Sequence, residues 1–228
     1  MNTLWIFGDS FSSDFDYNNL HQNHKTYMGI IGVKDIPVWG TILGEKLEMN
    51  VRNFAKGGNS NYQIFQDYCD YCHLIQENDI VIVGWGLIAK FRISENNKVI
   101  NIHPNDTRDY ENMSKSTLDE IVKNRKYVYN GIDMWAGEVR GWENAMITLS
   151  KNKNYRIYFW STEEDRLVKE NNKKNYLCSE STKPLIHHLR DLGCLSMSQE
   201  TNDIVGDSHF GLQGHNKQAE IFYNEIEK

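Results

Sequence analysis

Thr3-Leu4-Trp5-Ile6-Phe7-Gly8-Asp9-Ser10 sets an uninterrupted apolar run against a glycine turn, and the serine stands just past the break. A run this short with no polar alternation reads as a strand buried on both faces, and Gly8 reads as the start of the turn that ends it. A strand buried on both sides needs covering layers on each.

Working outward, the same signature recurs. Residues 37–49 carry Val38, Ile42, Leu43 and Leu47 at helical spacing, Val51–Ala55 reads as a second strand, and Gly57-Gly58 breaks it. A helix is predicted over about residues 60–75, with Ile64, Phe65, Tyr68 and Leu74 on its apolar side. Asp79–Val83 is the strongest buried strand and again ends on a glycine, Gly84. A helix over about 136–151, a strand over Tyr155–Trp160 and an amphipathic terminal helix over 212–227 follow. Strands alternating with helices predict an α/β fold: a three-layer α/β/α sandwich around a mostly parallel central sheet. The stretch from about 94 to 135 breaks the rhythm and is read as an insertion over one rim of the sheet, within a single domain spanning residues 1–228. It contains a short Val99–Ile102 run and a helix-like piece around Leu118–Val122.

Composition narrows the partners. With 39% hydrophobic and 25% charged residues the balance is globular, and a formal net charge of −6 with scattered basic residues argues against a nucleic-acid surface. The chain begins without a signal-peptide pattern and holds no apolar span of membrane length, which predicts a cytoplasmic protein with no membrane partner. Cys69 and Cys72 fall on one face of a predicted helix, and Cys178 and Cys194 are fifteen residues apart in between, so all four are expected to be free thiols and no metal site is expected.

A hydroxyl is a weak nucleophile, so serine chemistry requires an exposed serine, a nearby imidazole and backbone donors facing the developing oxyanion. Ser10, at the predicted carboxyl edge of a parallel sheet, meets the first requirement, although an ordinary turn with Asp9 or Ser10 capping a helix reads the same tripeptide. Gly58, in Ala55-Lys56-Gly57-Gly58-Asn59-Ser60-Asn61, lets backbone approach a ligand and offers an N–H. A tight turn with Ser60 or Asn61 as N-cap reads equally well. In Gly206-Asp207-Ser208-His209, extended residues two apart point the same way, so Asp207 could orient the imidazole of His209. His215 fits the start of the terminal helix better than a metal site, and His21, His24, His73 and His103 lack a flanking glycine-rich turn.

The order of these blocks resembles the SGNH/GDSL hydrolases, from residue 8 to residue 215. The resemblance is to a phage-associated and bacterial variant with Gly-Trp in the third block. It implies the flavodoxin-like SGNH fold, Ser10 as nucleophile, His209 as base and Gly58 as oxyanion donor, with no cofactor. Two departures stand out. The family's third block is commonly G-x-N-D, whereas residues 84–87 are Gly-Trp-Gly-Leu, so Asn59 or Asn61 would have to supply the missing amide. The family's acid stands three residues before the histidine, where this chain has Gly206, leaving Asp207 first and Asp203 second. Trp85, directly after the third strand, is expected near the substrate, with Lys90 and Arg92 beyond it. The expected function is a serine esterase or O-acetyl esterase acting on a small-molecule or carbohydrate ester. The alternatives are an acyltransferase with the same triad and a catalytically weak or inactive glycan- or protein-binding module on the same frame.

Overall fold

A computed structural model of the chain describes residues 1–15, 21–86, 91–95, 98–102, 114–116, 119, 123, 132–161, 172–179 and 185–228. Its centre is a four-stranded sheet of β1 (Thr3–Gly8), β2 (Asn50–Asn53), β3 (Ile80–Trp85) and β6 (Arg156–Ser161), in the order β2-β1-β3-β6. All three pairings are parallel. The fold is the expected three-layer α/β/α sandwich.

The period of two along each strand decides which layer each side chain joins. Trp5, Phe7, Val81, Val83, Trp85 and Phe159 face α3 (Asn61–Tyr71) and α4 (Ile132–Lys153), where Ile64, Tyr68, Val139 and Met146 meet them. Leu4, Ile6, Ile80, Ile82 and Trp160 face the other way, against α2 (Trp39–Lys46), α5 (Leu185–Asp191) and α7 (Leu212–Ile226). From Leu4 to Phe7 and from Ile80 to Val83 every side chain is buried. Each such burial stabilises the fold by roughly 1.5–3 kcal/mol for an aliphatic or Phe side chain. Helical layers on both sides of the parallel sheet hide both faces of these strands.

Some boundaries differ from expectation. The second helix of the prediction stops being α-helical at Tyr71 and tightens to a 3₁₀ turn over Cys72–Leu74, which leaves Leu74 exposed instead of on the buried face. Helix α1 (Gln22–Ile31) and the single-turn α6 (Met197–Glu200) were not foreseen. Most of the 94–135 insertion, including all of Leu118–Val122 but Asp119, lies outside the described residues. Its described part includes β5 (Lys98–Ile102), paired antiparallel with β4 (Phe91–Glu95) as a separate ribbon. No helix among the described residues is long and apolar enough to cross a membrane. Cys69 and Cys72 are accessible free thiols, and Cys178 and Cys194 are buried ones.

Candidate active site

Ser10 follows β1 because Gly8 and Gly84, paired in register, leave room for the turn to fold back over the sheet. A Cβ on either glycine would lie 2.8 Å from Ser12 Oγ. Within the turn, the amides of Ser12 and Ser13 donate to Asp9 O at 3.0 and 3.1 Å, and Phe11 N donates to Asp9 Oδ1 at 3.1 Å. From the neighbouring strand, Asn53 Nδ2 donates to Ser12 O at 2.8 Å. The nucleophile candidate is thus held by its own turn and by the end of β2. Asn53 was missed by the sequence reading, and nothing in its surroundings marks it except its place at a strand end.

The second half of the site comes from the other end of the chain. Residues 207–211 run antiparallel to residues 195–198: Met197 N donates to His209 O at 2.9 Å, Ser198 N to Asp207 O at 3.0 Å, and Gly211 N to Leu195 O at 3.0 Å. A bridge between Ser196 and Phe210 lies in the same strap. The strap aims the His209 side chain at Ser10.

His209 Nε2 is 2.8 Å from Ser10 Oγ, and His209 Nδ1 is 2.7 Å from Asp207 Oδ1. The backbone amide of His209 also donates to Asp207 Oδ1, at 2.9 Å. These bonds, the ring contact first, hold the Asp207 carboxyl well below the usual carboxylate range against the opposing effect of burial. With an ionised carboxylate fixing a proton on Nδ1, the Nε2 lone pair faces the serine hydroxyl. Asp203, the fallback, is elsewhere: its carboxylate accepts from Ser198 Oγ at 2.5 Å.

A second imidazole approaches the same acid. His24 Nε2, on α1, lies 3.9 Å from Asp207 Oδ2, and its half-buried setting pushes its pKa down, favouring the neutral ring. His215, buried in the first turn of α7, accepts a hydrogen bond from Trp39 N at 3.4 Å through Nδ1, and burial lowers its pKa to about 3. His209 stacks obliquely on Phe11, centroid to centroid 4.7 Å. Ser10 and His209 open onto a pocket of about 270 Å³ walled by Gly57, Phe11, Phe15, Phe210 and the rings of His21, His24 and His215. Neither His21 nor His24 stood out in the sequence, because α1 itself did not.

The other expected site residues are placed differently. Gly58 has φ +82°, so it is a glycine for backbone reasons, while Gly57 is the one on the pocket wall, 4.0 Å from Ser10 Cβ at a Cβ position. Asn59 cannot supply the missing oxyanion amide as placed. Its two amide hydrogens are engaged by Gly8 O and Asp67 Oδ2, each at 3.3 Å. Asn61 gives its amide to Gly86 O at 3.2 Å, while Ser60 caps α3 by accepting from Gln63 N. Both asparagines are therefore buried turn ties. Trp85, expected beside the substrate, is instead 1% exposed in the core, its indole donating to Glu143 Oε1 at 2.8 Å. Strand alternation sends it under α4. Gly86 is explained by its neighbour: a Cβ there would lie 2.7 Å from Asp9 Oδ2. Lys90 lies outside the described residues, as does the Arg92 side chain.

No protein-family model matches the chain, and no curated protein sequence does. The chain is similar to several solved structures. Protein YxiM of Bacillus subtilis matches at 16% identity with a TM-score of 0.49, covering 99% of this chain and 56% of that one. A protein from Parabacteroides merdae described as a GDSL-like lipase matches at 12% identity with a TM-score of 0.45, over 99% and 95% of the two chains. A protein of Desulfitobacterium hafniense described as a lipolytic protein of the G-D-S-L family matches at 16% identity with a TM-score of 0.36, over 99% of both chains. This chain spans little more than half the length of the Bacillus subtilis protein.

Proposed function

We propose that this chain is a serine ester hydrolase of the SGNH/GDSL type, with Ser10 as nucleophile, His209 as general base and Asp207 as the acid that orients it. The observation that carries the reading is the hydrogen-bonded line Ser10–His209–Asp207, at 2.8 and 2.7 Å, assembled from residues 199 positions apart. A contact at that separation is made by the fold and by no local turn.

In the proposed reaction His209 Nε2 takes the hydroxyl proton as Ser10 Oγ bonds to the ester carbonyl carbon. The tetrahedral oxyanion collapses, the alcohol leaves with the proton from His209, and water, activated by the same imidazole, releases the acid. Backbone amides at Ser10 and in the Gly57-Gly58 turn are the candidate oxyanion donors. The pocket of about 270 Å³ beside Ser10, with three phenylalanine walls, has room for a small ester. An O-acetylated carbohydrate or another short acyl ester is the substrate class we propose.

The occupied amides of Asn59 and the glycine at position 86 favour one second reading, a weakly active frame that binds ester-bearing ligands, because one missing oxyanion donor costs roughly 10²–10³ in turnover. Turnover of p-nitrophenyl acetate separates the two. The esterase reading expects steady turnover that Ser10→Ala lowers by about 10³-fold or more. Equal rates in the two proteins would reject it.

A further inference from the structure

We infer that Tyr27 and Glu200 are positioning residues for His209, a clamp that fixes the start of α7 and with it the imidazole three residues upstream. The inference rests on the esterase reading above.

A helix begins with four backbone N–H groups that have no partner inside it. Gly211 precedes α7 and offers no side-chain cap. The first three amides are met from outside the helix. Leu212 N donates to Tyr27 Oη at 2.7 Å, and Gln213 N and Gly214 N donate to Glu200 Oε1 at 3.0 and 3.2 Å. The Tyr27 hydroxyl in turn donates to Glu200 Oε2. A carboxylate at a helix N-terminus is also favoured by the helix dipole. Tyr27 is fully buried, and burial together with the Glu200 contact pushes its phenol far up, which keeps it a proton donor to that carboxylate.

Gly211 exists for this clamp. Its φ is −84°, open to any residue, yet a Cβ there would overlap Glu200 Oε1 and lie 2.6 Å from Tyr27 Oη. The helix that carries Glu200 also holds the site directly, since Met197 N and Ser198 N bind His209 O and Asp207 O. Helix α6 therefore grips the segment on both sides of His209, by backbone before Phe210 and by side chain after it. Helix α1 does the same with two residues three apart: His24 reaches toward Asp207 and Tyr27 reaches Leu212. Such a pair lies on one helix face.

If capping were its whole role, loss of the clamp would lower stability alone. A positioning role demands more, because a displacement of about 1 Å in a reacting group costs up to about 10²-fold in rate. The test compares Tyr27→Phe, Glu200→Gln and Glu200→Ala with Tyr68→Phe, which breaks a buried hydroxyl pair with Tyr155 at 2.5 Å in the core away from Ser10. Each is assayed for melting temperature, kcat and KM on p-nitrophenyl acetate, and amide exchange. Tyr27→Phe is expected to lower kcat 10- to 100-fold with KM within about twofold. Glu200→Gln, which keeps an acceptor oxygen, should lose less than Glu200→Ala. Tyr68→Phe should lose stability and keep kcat, and combining Tyr27→Phe with Glu200→Gln should add less than the separate losses predict. Full kcat in Tyr27→Phe or Glu200→Ala at a lowered melting temperature overturns the clamp as a positioning device. Should the unmodified chain fail to label at Ser10 with a fluorophosphonate, the esterase reading falls by itself. The clamp is then decided by exchange: acceleration confined to residues 207–214 in Tyr27→Phe upholds it, and unchanged exchange there overturns it.

Discussion

Asp207 receives both the backbone amide and the ring Nδ1 of His209 on one oxygen, at 2.9 and 2.7 Å. A spacing of two makes this closure available, with Ser208 alone between the carboxylate and the imidazole. Asp207→Asn is expected to keep the geometry, present the wrong hydrogen-bonding group to Nδ1 and lower kcat by about 10²–10⁴-fold at little change in KM. The same carboxyl links stability to pH. Its folded pKa lies below the unfolded value of about 3.9, so its contribution is whole above that pH and is lost as pH falls through the folded value. Urea denaturation between pH 5 and 2 should show a shallower acid decline in Asp207→Asn. Gly86 gives a second check. Because Asp9 Oδ2 stands 2.7 Å from the Cβ position, Gly86→Asn should not restore an oxyanion donor, and its expected signature is a lower melting temperature with no gain in kcat. At this scale Ser10, Asp207 and His209 were legible, since a strand-end serine and a D-x-H pair carry their chemistry in their spacing. The amides of Asn59 and Asn61 were not, because what engages them is Gly8 O, Asp67 and Gly86 O, partners that only the folded turn brings near.

Among the elements, α4 carries a carboxylate that no periodicity argument would bury. Glu143 is 0% exposed, and Trp85 Nε1, Asn172 Nδ2 and the Tyr176 hydroxyl all donate to it, from β3 and from the segment after β6. Burial raises its pKa to about 7 against those hydrogen bonds. Between the unfolded value near 4.3 and about 7 the folded chain holds the extra proton, so this group's contribution falls as pH rises through that window and levels off above it. Glu143→Gln should flatten that slope in denaturant titrations. Glu143→Leu should cost about 3 kcal/mol or more, since it strands buried donors. Helix α1 escaped the sequence reading for a physical reason: Tyr27 is its one buried residue, and Gly29 within it is a poor helix former. Its ends were nevertheless written, with His21 Nδ1 accepting from Asn23 N and Gly32 turning left-handed at φ 72°. The strands were legible because parallel sheet demands long apolar runs; α1 is held by tertiary ties to Glu200 and α7, which leave no pattern in ten residues.

At the scale of the molecule, the strand order β2-β1-β3-β6 sends the chain from β1 to one side and then back across it to the other. The carboxyl ends of β1 and β3 flank the point of reversal, where α/β sheets gather their ligands. Gly8 and Gly84 end those two strands side by side, and the last forty residues carry Asp207 and His209 back to the same edge. Topology therefore brings the first and last of the sequence blocks to one edge, which is why the architecture could be read before the helices around the pocket. The proposed function turns on acylation of Ser10. Acid-quenching the chain during turnover of p-nitrophenyl acetate and mapping its peptides by mass spectrometry tests it most directly. The expected result is one acetyl group on the peptide containing Ser10, absent in Ser10→Ala and slow to form in His209→Ala. Turnover without an acetylated Ser10 peptide, or with the acetyl group on another residue, would contradict it.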